Sequence, residues 1–126
     1  MIVIVDDDES MREATKFLVI SLGYSVRTFA SAEEYLASDH VSATSCLISD
    51  LRMPGMSGVE LQKRLIADGH RIPVIFMTAF FEKEIRARAL RAGAFGFLSK
   101  PFEDQCLIKC LDKALKSDTA EYTQHQ

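Results

Sequence analysis

Leu47-Ile-Ser-Asp50-Leu-Arg-Met-Pro54-Gly55-Met-Ser57-Gly58 is the stretch that decides the fold of this chain. A short apolar run ends at Asp50, the pair Pro54-Gly55 predicts a turn directly after it, and a helix pattern begins near Ser57. Strand, turn and helix in this order are typical of an open α/β sheet, where ligands bind beyond the carboxyl ends of the strands. Asp50 is therefore a candidate for chemistry, and the residues at the same edge decide which chemistry.

The composition of the 126-residue chain is that of one globular domain. Hydrophobic residues make up 48% and charged residues 26%, which argues against a disordered or fibrous protein. The apolar runs are far shorter than a membrane span, and the first residues run into acids without a basic region or cleavage site. We therefore expect a cytoplasmic protein without a signal peptide. A net charge of -3 without a basic block predicts no direct contact with nucleic acid or membrane.

Strand and helix patterns alternate along the chain. The predicted strands are 2–5, 26–29, 46–49, 74–77 and 95–98, and the predicted helices are 10–22, 31–37, 57–67, 82–92 and 103–115. Such βα units in series predict an α/β fold, a flavodoxin-like doubly wound sheet of five parallel strands in the order 2-1-3-4-5 with five helices. The polar residues 117–126 are predicted to be a tail or the start of a linker, which leaves 1–116 as the domain.

Local signals support these helices. Three predicted starts fit the capping box, in which serine accepts a hydrogen bond from an N–H group near the helix start and glutamate reaches back: Ser10/Glu13, Ser31/Glu34 and Ser57/Glu60. The predicted core stripe of the first helix is Met11, Ala14, Leu18 and Leu22, and that of the last is Leu107, Leu111, Ala114 and Leu115. Cys46, Cys106 and Cys110 lack a metal-ligand pattern, so we predict that they are buried small hydrophobes.

Polar side chains follow four of the predicted strands: Asp6, Asp7 and Asp8, then Asp50, then Thr78, then Ser99 and Lys100. The carboxyl ends of parallel strands share one edge, so we expect these side chains to meet. Crowded carboxylates repel one another, and a hard cation such as Mg²⁺ relieves the repulsion. The hydroxyl of Thr78 and the charge of Lys100 suit phosphate oxygens. Each residue alone fits an ordinary cap or turn, but the set predicts a Mg²⁺ site that handles a phosphoryl group.

Four motifs then carry a resemblance to the receiver domain of two-component response regulators: Val5-Asp6-Asp7, the stretch 49–58, Met77-Thr78-Ala79 and Ser99-Lys100-Pro101-Phe102. They occur in family order from residue 1 to about residue 116. The resemblance implies that Asp50 accepts a phosphoryl group from the phosphohistidine of a sensor histidine kinase. It also implies a chain that is no enzyme beyond its own phosphorylation and dephosphorylation.

The resemblance further assigns a metal site and a switch. Asp6, Asp7, Asp50 and the backbone carbonyl of Arg52 would hold Mg²⁺, Asp7 most directly, while the Arg52 side chain either reaches the phosphate or lies along the surface.

In the implied switch, Thr78 would bond the phosphoryl group, Lys100 would pair with it, and Phe97 would move inward with Thr78. The peptide bond before Pro101 would be cis.

The resemblance is strongest to receivers of the FixJ type, which normally precede a helix-turn-helix DNA-binding domain. We therefore expect either transcription regulation through an output domain or a single-domain regulator acting by protein contact. Region 82–115 is the expected surface for a homodimer or output domain, although the basic residues of the fourth helix also fit a solvated face. The pair Phe80-Phe81 either packs or faces a partner.

Two alternatives of other classes remain open. Asp6 to Ser10 loosely fits the D-x-D-x-S motif of haloacid-dehalogenase-like phosphatases, in which Asp6 and not Asp50 would be modified. A flavodoxin-like flavin module would need a phosphate-cradling loop after the first strand, where this chain has acids. A degenerate receiver is disfavoured by the complete set of acids, threonine and lysine.

Overall fold

The computed structural model describes the backbone of residues 1–79 and 83–124 and the side chains of 1–79 and 83–116. Strands and helices alternate in the order β1 (Ile2–Val5), α1 (Glu9–Ser21), β2 (Val26–Phe29), α2 (Ala32–Leu36), β3 (Cys46–Asp50), α3 (Gly58–Ala67), β4 (Val74–Thr78), α4 (Lys83–Arg91), β5 (Gly96–Ser99) and α5 (Asp104–Gln124). None of the helices in these ranges is long and apolar enough to cross a membrane.

The strands form one parallel sheet in the order β2-β1-β3-β4-β5, which confirms the predicted doubly wound topology. The three central strands are buried along their whole length, as expected for apolar β-branched runs that are covered on both faces. The edge strands β2 and β5 are only partly buried. The switch point of the strand order therefore lies between β1 and β3, beside Asp6 and Asp50.

Alternate residues of each central strand enter separate cores on the two faces of the sheet. On β1, Val3 and Val5 pack with α2, α3 and α4, whereas Ile2 and Ile4 pack with α1 and α5. The α5 stripe is buried as predicted at Leu107, Leu111 and Ala114, with Leu115 partly buried.

The predicted core stripe of α1 is only partly right: Met11 and Leu18 are half-buried, and Leu18 packs against the core. The buried residues of α1 are Thr15 and Val19, whereas Ala14 is exposed and Leu22 is 37% exposed. A buried threonine is tolerated because its hydroxyl donates a hydrogen bond to the carbonyl of Met11 at 2.8 Å. Hydrophobic spacing alone could not anticipate this local bond.

The three predicted capping boxes have different outcomes. Ser57 and Glu60 form the complete reciprocal box at α3. Ser31 caps α2, but Glu34 reaches back to the N–H of Ala30 instead of the cap residue. At α1 the prediction is wrong, because Asp8 is the cap and accepts from the N–H of Met11 at 3.2 Å. An ionised aspartate is favoured there by the positive helix end.

The end of α5 and the burial of two cysteines differ from the predictions. Helix α5 continues to Gln124, past the predicted end at 115, because no glycine or proline in 117–124 ends it. The interpretation of 117–126 as a tail or linker stays a prediction. Cys46 is buried as predicted, whereas Cys110 is partly buried and Cys106 is exposed. The predictions about Phe80, Phe81 and the first residue of the predicted fourth helix lie outside the described residues.

Candidate functional site

The carboxyl edge of the sheet carries the residues that the sequence places there. Asp6 follows β1, Asp50 ends β3, Thr78 ends β4 and Lys100 follows β5. The main-chain N–H of Lys100 donates to the carbonyl of Thr78 at 2.7 Å, so the end of β4 holds the residue that follows β5. The edge therefore brings together two carboxylates and an ammonium group, and Thr78 lies at the same edge, at the end of β4.

Asp6 is fully buried, and both its carboxylate and its backbone carbonyl accept hydrogen bonds. One carboxylate oxygen accepts from the N–H of Asp8 at 2.9 Å, and the other accepts from Nζ of Lys100 at 3.1 Å. Its backbone carbonyl accepts from Nη1 of Arg12 at 2.8 Å. Asp6 is therefore a fixed charge of the site, without exposed surface for attack on a substrate.

Asp50 has a more open and more strained electrostatic environment. Its side chain is 11% exposed, and one oxygen lies 3.3 Å from Nζ of Lys100. Burial raises the pKa of Asp50 to about 6, and the charge of Asp6 adds to the rise, while Lys100 and the backbone N–H of Arg52 oppose it. Above that pH the Asp50 carboxylate is ionised, and this buried negative charge destabilises the folded chain. A cation bound beside Asp50 offsets that cost.

Lys100 joins the two acids. Its Nζ lies within hydrogen-bonding distance of both Asp6 and Asp50, and its side chain is 10% exposed. Burial acts to lower the pKa of Lys100, but the hydrogen bonds and charges of both aspartates outweigh burial, so the pKa is raised. Lys100 therefore stays protonated. The Lys100–Pro101 peptide bond is cis, as the resemblance implied.

Three carboxylates form a group that suits a hard cation. One oxygen from each of Asp6, Asp7 and Asp50 lies within 4.8 Å of the others, and Asp7 is exposed. Oxygen ligands with an open side match the preference of Mg²⁺, which keeps several waters. Asp8, the remaining acid of the run, is used to cap α1 instead. The donor set therefore fits Mg²⁺.

The loop between β3 and α3 packs tightly against the Asp50 backbone. The N–H of Gly58 donates to the carbonyl of Leu51 at 3.0 Å. A Cβ atom at Gly58 would collide with the carbonyl oxygen of Asp50 and lie 3.0 Å from the ring of Phe76. Glycine is therefore required here by close approach of the helix start to the phosphoacceptor candidate.

The same loop is anchored from α2 by a contact that sequence reasoning missed. Glu33 accepts a hydrogen bond from the N–H of Met56 at 3.1 Å, and its carboxylate occupies the space beside Gly55, whose φ is 76°. Glu33 and Met56 are 23 positions apart, so no local pattern signals the contact. Arg12 was also missed, because its hydrogen bond goes to the backbone carbonyl of Asp6 and leaves no pattern in the sequence.

The remaining residues predicted for the site lie around this centre. Thr78 is 1% exposed at the end of β4, and Arg52 is exposed in the loop after Asp50. Phe97 is partly buried on β5, where it pairs in register with Phe76 and packs against the core on the α3 and α4 side. Each of Arg52, Thr78 and Phe97 has interactions within the chain. These positions are compatible with the roles that the sequence suggested.

Comparison with known proteins agrees with this geometry. A family model described as the response regulator receiver domain matches residues 2–112. Transcriptional regulatory protein TdiR of Thauera aromatica is 38% identical over 89% of this chain and 49% of its own length. Response regulator protein TodT of Pseudomonas putida is 41% identical over 92% of this chain and 51% of its own length. The crystal structure of FixJ-N superposes with a TM-score of 0.82 at 37% identity, covering 91% of this chain and 92% of that chain. The chain spans about half the length of these two curated relatives.

Proposed function

Because the chain belongs to the response regulator receiver domain family, we propose that it is a phosphorelay switch whose phosphoacceptor is Asp50. The carrying observation is the Asp50 carboxylate at the open end of β3, within 3.3 Å of Lys100 and beside two further acids. The phosphoryl donor is the phosphohistidine of a sensor histidine kinase in the cytoplasm.

The chemistry required of Asp50 is nucleophilic attack. A carboxylate oxygen forms a bond to phosphorus while the bond between phosphorus and the imidazole nitrogen breaks, and the imidazole keeps that electron pair. A pKa of about 6 leaves the attacking oxygen ionised at neutral pH. Lys100 stabilises the negative charge that the phosphoryl oxygens bring to the edge. The chain thus catalyses only its own phosphorylation and dephosphorylation.

We assign Asp6, Asp7, Asp50 and the carbonyl of Arg52 as the ligands of Mg²⁺. The group of carboxylate oxygens within 4.8 Å supports the first three, and exposure of Asp7 leaves a path for the ion. Mg²⁺, when bound, neutralises charge on the phosphoryl oxygens. Asp6 and Lys100 hold each other in place for this purpose, because their ion pair is 3.1 Å long and almost fully buried.

The response to phosphorylation uses Thr78, Lys100 and Phe97. Shifting a two-state equilibrium from 1:99 to 99:1 needs about 5.5 kcal/mol. Two new charge-assisted hydrogen bonds, from Thr78 and Lys100 to the phosphoryl group, contribute roughly 3–6 kcal/mol. Neither bond is therefore dispensable. Phe97 lies on the strand beside Thr78 and follows its movement inward.

The output is regulation of transcription through a DNA-binding domain. TdiR, which matches over about half its length, carries the name of a transcriptional regulatory protein. Region 82–115 is the surface through which a homodimer or the output domain senses the switch. This surface includes the basic helix α4, whose cations are Lys83, Arg86, Arg88 and Arg91.

The haloacid-dehalogenase alternative makes Asp6 the nucleophile. Asp6 is fully buried, and both of its carboxylate oxygens already accept hydrogen bonds. Attack on a phosphoryl group needs an accessible oxygen, which the fully buried Asp6 lacks, whereas the side chain of Asp50 is 11% exposed. The geometry therefore favours Asp50.

The test is phosphorylation with acetyl phosphate and Mg²⁺, followed by mass spectrometry of peptides. We expect the adduct on Asp50, none in the Asp50→Asn variant, and loss of labelling with EDTA. The exposed residue Asp39, changed to Asn, is the matched control and should leave labelling intact. An adduct on Asp6 would support the phosphatase reading instead. Thr78→Ala should still accept phosphate but lose the change in dimerisation or output binding, and an undiminished change would contradict the role of Thr78.

A further inference from the structure

A groove between α3 and α4 adjoins the loop after Asp50 and shares only Arg52 with the proposed phosphotransfer site. Its volume is about 480 Å³, within the size range of small-molecule sites. Its apolar lining consists of Leu51, Val59, Ile85 and Ala92, and its polar lining consists of Arg52, Ser57, Lys63, Arg88 and Arg91. The apolar lining residues are buried or half-buried, whereas the charged ones are exposed, so charges of one sign surround an apolar floor.

Within residues 1–79 and 83–116, every ionisable residue that lines the groove is a cation. Among residues 1–79 and 83–116, neither Lys63 nor Arg88 forms an ion pair, although the chain as a whole is acidic with net charge -3. Nε of Arg91 donates to the carbonyl of Ala87 at 3.3 Å and so lies along its own helix. Like charges around a concave surface reinforce one another and attract an anion.

Helical spacing aligns the charged and apolar groups. Val59 and Lys63 are four residues apart on α3, and Ile85 and Arg88 are three residues apart on α4, so each helix places an apolar residue beside a cationic one along the groove. A ligand that contacts both pairs needs an apolar body and a negative head. A purely polar anion would leave Val59 and Ile85 in contact with water.

We propose that this groove binds a small amphipathic anion, a carboxylate or sulfonate with an apolar body. The head group lies between Lys63 and Arg88, and the body packs against Val59 and Ile85. This ligand site is separate from the phosphoacceptor and goes beyond the proposed phosphorelay function.

The groove also contacts the segment that leaves the phosphoacceptor. Leu51 follows Asp50 directly, and its N–H donates to the carbonyl of Met77 on β4 at 2.8 Å. Ser57 ends the same loop and caps α3. The groove therefore borders the loop whose backbone positions Asp50.

The test uses anilinonaphthalene sulfonate, a fluorescent aromatic sulfonate, titrated into the folded chain at neutral pH. Saturable binding should shift the backbone amide signals of Val59, Ile85 and Arg88 in NMR spectra. Decanoate should displace the dye, whereas decanol at the same concentration should not, because it lacks the charge. Equal displacement by decanol, or signal changes confined to another surface, would overturn the proposal.

Variants separate the groove from general charge effects. The double variant Lys63→Gln, Arg88→Gln should bind the dye about tenfold more weakly or worse, because two charge-assisted contacts are lost. The matched control, Arg64→Gln with Arg86→Gln, removes the same charge from the same helices but outside the groove. Equal loss in the control, or unchanged affinity in the groove variant, would refute the assignment. Circular dichroism checks that each variant is folded.

Discussion

Replacing the proposed phosphoacceptor, Asp50→Asn, should stabilise the folded chain at neutral pH. Burial and the nearby Asp6 raise the pKa of Asp50 from 3.8 to about 6, so its ionised form is disfavoured in the folded state. Asparagine has the same shape without the charge. The variant also keeps the 3.1 Å bond between Lys100 and Asp6, so no buried charge loses its only partner.

The magnitude follows from the pKa. The difference between 3.8 and about 6 corresponds to about 3 kcal/mol of lost stability once Asp50 is ionised in both states. Between these two pH values the folded state holds the proton more tightly than the unfolded state, so the free energy of unfolding falls as pH rises. The penalty is absent below pH 3.8 and complete above about pH 6. Asp50→Asn should therefore gain about 3 kcal/mol at pH 7.5 and almost nothing near pH 4.

Urea denaturation across this pH range, with EDTA present, measures the gain directly. The exposed residue Asp39, changed to Asn, is the matched control and should show no such pH-dependent gain. Equal or lower stability of Asp50→Asn at pH 7.5 would refute the reasoning. A gain of the same size at every pH would refute it too, because the effect would then not come from ionisation.

Three further predictions concern the loop, the thiols and the metal. Gly58→Ala should lower the free energy of unfolding in urea by about 1–3 kcal/mol, because the added Cβ meets the carbonyl of Asp50; the stabilisation of up to about 1 kcal/mol that alanine gives ordinary helices would contradict this. Ellman's reagent at pH 8 should label Cys106 quickly and Cys46 only after unfolding, because burial raises the pKa of Cys46 to about 12. Rapid labelling of a folded variant that keeps Cys46 as its single cysteine would contradict this. Mg²⁺ at about 100 times its dissociation constant should add about 2.7 kcal/mol to the free energy of unfolding. Asp7→Asn should lose most of that gain, and an equal gain in the variant would show that Asp7 is not a ligand.

The sequence was a good guide to elements because their signals are local. β-Branched runs such as Ile2–Val5 need burial on both faces, and the alternation of strands with helices leaves few topologies for a parallel sheet. The carboxyl edge follows from that topology, so the meeting of Asp6, Asp50 and Lys100, with Thr78 at the end of the neighbouring strand, could be predicted. Local signals misled where two compete, as at α1, where Asp8 caps the helix in place of Ser10.

The amino-acid sequence by itself determined the succession of strands and helices, the order of the strands and the set of residues that lie at the carboxyl edge of the sheet. Tertiary structure alone decided how those residues differ. It buried Asp6 completely, left Asp50 partly open, and set Lys100 between them. It also anchored the loop through Glu33 and joined α3 to α4 in a cationic groove. The physical reason is that burial, desolvation and contacts between distant segments depend on packing in three dimensions, which no short window of sequence contains.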